Sequence, residues 1–212
     1  MMLPPVLDAL PLTIGPWLDL AGLSVFAASG ALAAIRRGQT IVTLCFFALI
    51  TGVGGGTVRD LMIGAPVFWV HDSRAPAVCL GVALLIWMTP ERWWRGAALD
   101  WFDAIGLAAY AVFGAAKALG QGVPPVPAIL MGVITACVGG IIRDVLAGVP
   151  SIIMRPEIYV TAAALAASLF VGLLAIGLPV EVAAAVAAVA GFALRAAAIR
   201  WKLALPAYRS AR

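Results

Sequence analysis

The chain is poor in charge. Asp, Glu, Lys and Arg make up only 11% of it, whereas 64% is hydrophobic and mean hydropathy is +1.07. A soluble domain carries about a quarter charged residues, so a water-soluble fold is excluded and an all-α polytopic membrane protein is expected. Histidine is nearly absent: His71 stands alone beside Asp72 in a loop, with no second ligand candidate, so no metal site is expected. The three cysteines, Cys45, Cys79 and Cys137, each lie inside an apolar run without CxxC or CxxH spacing. That excludes a disulfide framework and a zinc knuckle and leaves buried free thiols. Nucleophile motifs, a phosphate loop and a dinucleotide fingerprint are missing, so no enzyme and no cofactor are expected. The few basic residues sit at loop edges, and no nucleic-acid partner is expected.

Long apolar runs are what the chain has. A helix needs about 20 apolar residues to cross a hydrocarbon core of about 30 Å. Seven such spans are predicted, at 17–35, 39–63, 75–90, 100–120, 125–148, 157–177 and 180–200. Residues 1–16 lack a basic n-region and carry Asp8 and several prolines, which reads as a retained lead-in rather than a signal peptide. Residues 201–212 read as a basic tail. Arg36, Arg37, Arg92, Arg95, Arg155, Arg200, Lys202, Arg209 and Arg212 fall on one side of this layout. The other side holds Asp8, His71, Asp72, Arg74 and Glu181. The positive-inside rule then predicts a multi-pass protein of the plasma (inner) membrane with its N-terminus outside and its C-terminus cytoplasmic.

One stretch occurs twice. "GGTVRDLMIGAP" from Gly55 and "GGIIRDVLAGVP" from Gly139 both read GG-x-x-R-D-x-x-x-G-x-P, 84 residues apart. The same offset pairs Asp19 with Asp103, Gly22 with Gly106, Gly30 with Gly114 and Thr51 with Thr135. This is an internal duplication. Each copy, 17–90 and 100–177, holds three spans, an odd number. The second copy therefore enters the membrane upside down, leaving the seventh span (180–200) outside an inverted repeat.

Residues 39–70 would make a helix of about 48 Å, far longer than the core. The glycines divide that length, so the second and fifth helices are expected to break there. The broken ends would expose backbone around Thr51, Gly52, Gly54, Gly55 and Gly56, and around Thr135, Gly139 and Gly140. Thr57 would cap the second piece, with Asp60 completing a capping box; Ile141 removes that cap from the second copy. The other reading is that the glycines only permit a kink or close packing. Arg59 and Asp60 are sequence neighbours, which do not face each other on a helix. The expected solution is a cross pair, Arg59 with Asp144 and Arg143 with Asp60; backbone carbonyls or lipid phosphate are the alternative partners. Asp19 and Asp103 are expected to be helix-start carboxylates held by the helix N-termini. Lys117, whose counterpart is Ala33, either snorkels to the surface or stands in the conduction path.

At these residues the chain resembles the trimeric intracellular cation channels, in particular their prokaryotic branch, which is also catalogued as a glycine-transporter-type membrane domain. The doubled "GG..RD...G.P", the "FGAAKA" of the fourth span and the three-plus-three-plus-one layout carry the resemblance over about residues 15–200. It implies a homotrimer with a pore through each protomer beside the second and fifth helices, and permeation of monovalent cations, potassium foremost. Arginines along such a pathway call for neutralising partners, a gating role or bound anionic lipid. The catalogue name keeps a secondary transporter of a small solute such as glycine as the alternative.

Overall fold

The computed structural model of the chain describes residues 15–94 and 96–206, with side chains from Leu20 onward except Glu91. The lead-in, the side chain of Asp19 and the tail beyond 206 lie outside the described residues.

The described residues form seven α-helices: α1 (Gly15–Arg36), α2 (Ile41–Met62), α3 (Arg74–Met88), α4 (Ala98–Gly120), α5 (Pro125–Leu146), α6 (Val160–Ala175) and α7 (Val180–Trp201). Short 3-10 turns at Glu91–Trp94 and Ile152–Met154 join them. Helices α2, α4, α5 and α7 are long and apolar enough to cross a membrane. Helices α3 and α6, with 15 and 16 residues, are shorter than the roughly 20-residue requirement. Trp87, Trp93 and Trp201 stand exposed near helix ends, as interfacial anchors do.

Helices α1, α2 and α3 pack together as one bundle, and α4, α5 and α6 as another. The bundles meet where α1 packs on α4 and α2 crosses α5, and α7 leans on α4 and α6. Arg36 donates to the Gly96 carbonyl and Arg37 to that of Gly148. The connections after α1, α3 and α5 therefore lie on one face of the molecule, as the charge pattern groups them.

The seven-helix class stands, but the glycines act differently from expectation. Helix α2 runs unbroken through Gly52–Gly56, and α5 through Gly139 and Gly140. The carbonyls expected to be left open there belong to the helical ladder. The excess length of 39–70 is removed instead by a helix stop. Gly64 takes a left-handed φ of 68°, Ala65 N–H donates to the Asp60 carbonyl at 2.9 Å, and Pro66 follows. Gly148 (φ 64°), Val149 and Pro150 repeat this at the end of α5, where Val149 N–H reaches the Asp144 carbonyl at 3.1 Å. These are Schellman stops, in which glycine adopts a backbone that side chains resist. The G-x-P half of the repeated motif is thus a stop signal.

Candidate functional site: two buried charge clusters astride a helix crossing

The GG half of the motif makes the crossing of α2 and α5. A methyl group at Gly55 would collide with the Thr135 carbonyl, and one at Gly139 with the Thr51 carbonyl. The two contacts are reciprocal, as a two-fold axis between the repeats requires. Gly54 faces the Ile142 side chain and the Gly139 backbone, and Gly52 packs on Cys79 and Leu23. Close packing is therefore the reading that holds: without a hydrophobic force between helices in lipid, small residues let backbones approach. Thr51 and Thr135 press on Gly30 and Gly114 of the neighbouring helix in each bundle. The Thr135 hydroxyl donates to the Met131 carbonyl at 2.6 Å.

The R-D half builds one ionic cluster on each side of this crossing. Arg59 and Arg143 are both only 1% exposed. The expected cross pair is absent: each arginine binds its own neighbour. Arg59 Nε and Nη2 reach Asp60 Oδ1 at 2.9 and 2.8 Å, and Arg143 Nε and Nη2 reach Asp144 Oδ1 at 2.9 and 2.8 Å. Adjacent Cβ atoms diverge on a helix, but an arginine is long enough to fold its planar fork back onto the next residue. The other carboxylate oxygen of each aspartate latches the returning loop. Phe68 N–H donates to Asp60 Oδ2 at 3.0 Å, and Ile152 N–H to Asp144 Oδ2 at 2.8 Å, each eight residues on. One aspartate thereby ties an arginine, a helix end and a loop together in both copies.

Beyond that core the clusters diverge. In the first, Lys117 Nζ lies 2.8 and 3.0 Å from the two Asp60 oxygens and its side chain is 25% exposed. Lys117 is therefore a member of the cluster, not a free snorkelling charge. The Arg59 guanidinium lies 5.5 Å over the Phe113 ring, and Lys117 lies 5.8 Å over Phe68. The Phe68 ring occupies the space a side chain at Gly56 would need. Thr57 is no helix cap: its hydroxyl donates to the Val53 carbonyl at 2.7 Å and accepts from Trp69 Nε1 at 2.9 Å. Helix α2 does not begin there, so nothing is left for Thr57 to cap.

In the second cluster, Arg143 Nη1 reaches Asp103 Oδ1 at 2.5 Å and donates to the Ser29 hydroxyl at 3.1 Å. Asp103 was expected to be a helix-start carboxylate. It lies beyond the first turn of α4, whose acid is Asp100, and is fully buried as a second counter-ion of Arg143. The Tyr159 hydroxyl stands over Gly140. Behind Tyr159, on the repeat-external helix α7, Arg195 stacks 5.2 Å over the tyrosine ring and pairs with Glu157 at 2.9 Å. Arg195 is 1% exposed, a third fully buried arginine among the described residues. Ser29, Phe68, Tyr159 and Arg195 escaped the sequence reading. Only Arg195 left a signal, as a lone charge inside an apolar span.

The chain is similar to known proteins. A family model described as glycine transporter matches the chain twice, over residues 16–91 and 100–175. A UPF0126 membrane protein of Vibrio cholerae is 39% identical over 197 residues, covering 90% of this chain and 81% of its own. The UPF0126 inner membrane protein YadS of Escherichia coli is 38% identical over 199 residues, covering 91% and 95%. The structure of the trimeric intracellular cation channel orthologue from Rhodobacter sphaeroides superposes with a TM-score of 0.84 at 45% identity, covering 90% of this chain and all of that one. The chain therefore belongs to the family described as glycine transporter, which its likeness to the Rhodobacter protein joins to the trimeric intracellular cation channels.

Proposed function

We propose that this protein is a multi-pass inner-membrane cation channel, not an enzyme, that assembles as a homotrimer and passes monovalent cations, potassium foremost, through each protomer. The observation that carries the reading is the pair of buried Arg–Asp clusters astride the α2–α5 crossing. Ionisable groups inside a membrane are costly and mark ion pathways. The pathway runs beside α2 and α5, past Thr51, Gly52, Gly54, Gly55, Gly56, Thr57, Arg59, Asp60 and Lys117 on one side of the crossing. Thr135, Gly139, Gly140, Arg143 and Asp144 line it on the other. The carboxylates neutralise the arginines, which removes the barrier that bare guanidinium groups raise against cations. The name of the Rhodobacter relative supports both the trimer and the cation. The tight contacts of Gly55 with Thr135 and of Gly139 with Thr51 correspond to a shut pathway. Anionic lipid at the arginines is not needed for neutrality, since Asp60, Asp103 and Asp144 supply it.

Purified protein in planar bilayers or liposomes is expected to pass potassium in preference to chloride, with currents altered by Gly139→Ala. The family description favours a second reading, a transporter of glycine or another small solute. Saturable glycine uptake without potassium permeability would establish it and overturn the channel. The proposed topology, N-terminus outside and C-terminus cytoplasmic, is tested by a C-terminal reporter, which must be active on the cytoplasmic side.

A further inference from the structure

Helix α7 lies outside the internal repeat, and it is fastened to one repeat. Among the described residues it packs on α4 and α6, both of the second copy. Gly191 lets it approach so closely that a methyl group there would lie 2.7 Å from Ala166 Cβ. Side-chain and backbone contacts then tie α7 and the segment after it to the loop before α6. Arg195 Nη2 reaches Glu157 at 2.9 Å, and Nη1 donates to the Ile158 carbonyl at 3.2 Å. Leu205 N–H donates to the Pro156 carbonyl at 2.7 Å, and Glu157 and Ala204 form an antiparallel bridge. The chain turns back for this at Lys202, whose φ of 51° is a left-handed backbone that a side chain resists.

Beneath these ties the loop presents Tyr159, which is 1% exposed. Its ring lies under the Arg195 guanidinium, and its hydroxyl stands over Gly140 and faces Asp103. Cys137, about one turn before Gly140 on the same face of α5, is buried beside Asp103 and Tyr159. In the first repeat, Ser73 and Ala75 stand at the places of Glu157 and Tyr159. The inner latch, from aspartate to returning loop, is common to both copies. The outer fastening belongs to the second, and it has a weak point. A buried guanidinium depends on its counter-ion. Glu157, its side chain 35% exposed, borders a cavity of about 340 Å³ that Asp100, Arg155 and Lys202 also line.

We infer that Arg195 is a positioning residue for the pathway: with Glu157 and the strap 203–205 it presses Tyr159 onto Gly140 and shuts the second half, which opens alone when this clamp is released. The inference rests on the cation-channel reading and gives α7 a part in it.

The test measures how fast N-ethylmaleimide alkylates the native cysteines of the purified full chain in mild detergent, read by peptide mass spectrometry. Cys137 reports on the second half, and Cys79, buried against Gly52, reports on the first. Both are expected to be protected in wild type. Arg195→Met and Glu157→Gln should each raise the Cys137 rate at least tenfold and leave Cys79 unchanged. Tyr159→Ala should raise it by a similar factor. Arg195→Met added to Tyr159→Ala should raise it no further, because the arginine acts through the tyrosine. Monodisperse elution and helical circular dichroism select the variants that fold. A protected Cys137 in either folded clamp variant overturns the inference. So does a parallel rise at Cys79, which marks packing loosened throughout, and so does a further rise in the double variant. Potassium flux is measured on the same preparations in liposomes. Flux with Cys137 protected in every variant refutes the clamp and leaves the channel. Selective exposure of Cys137 without flux in any variant leaves the clamp and refutes the channel.

Discussion

Removing Arg143 is the sharpest perturbation of the ionic architecture. Its guanidinium makes two contacts to Asp144, one to Asp103 and one to Ser29, at 1% exposure. Arg143→Gln leaves two buried carboxylates facing each other without a cation. Breaking a buried pair from one side costs about 3–5 kcal/mol. At roughly 2–4 °C per kcal/mol for a chain of this size, the midpoint should fall by roughly 10 °C. Asp103→Asn alone weakens the charge-assisted Arg143 Nη1 contact, while Asp144 still balances the arginine, and is also destabilising. The double variant Arg143→Gln/Asp103→Asn removes both partners and should recover about 1–3 kcal/mol relative to additivity. Arg143→Gln combined with Asp60→Asn joins residues of different clusters and should be additive within about 0.5 kcal/mol. The assay is intrinsic tryptophan fluorescence during heating in detergent, with the two cycles run side by side. Additivity between Arg143 and Asp103, or coupling between Arg143 and Asp60, would refute the pairing described above.

Three further outcomes are expected. Gly148→Ala forces a side chain into a left-handed φ of 64° at the stop of α5 and should lower stability by about 1 kcal/mol, read as a midpoint shift in the same heating assay. Trp69→Phe removes the 2.9 Å bond to Thr57, a contact with no counterpart in the second repeat, where Ile153 and Ile141 stand; a loss of about 1 kcal/mol is expected, and none in Trp69→Phe made on a Thr57→Val background. Asp72→Asn should leave the midpoint of the same heating assay unchanged even though Arg74 holds the Asp72 carboxyl below its usual range, because the Arg74 side chain is 66% exposed and solvent screens the pair.

The sequence by itself determined the class, the number of helices, the duplication and its inversion. These follow from quantities local to the chain: apolar runs of membrane length, a motif recurring at one offset, and an odd number of spans between copies. It also pointed to Gly55, Gly139, Arg59, Arg143 and their aspartates, since triple glycine and paired charges are anomalies in an apolar run whatever surrounds them. What the glycines and charges do was decided only by tertiary structure. Whether GG breaks a helix or seats one helix on another depends on what stands opposite, and Thr135 and Thr51 stand opposite. Whether 39–70 is one long helix depends on a stop at Gly64 that uses hydrogen bonds back to Leu61 and Asp60. Partner choice was least legible. Arg59 and Arg143 each folded onto the next residue, Asp103 came from α4, Lys117 from the far end of the same helix, and Tyr159 and Arg195 from outside the motif. An ion pair is selected by distances in three dimensions, and long side chains span several angstroms that no spacing rule along the chain can encode.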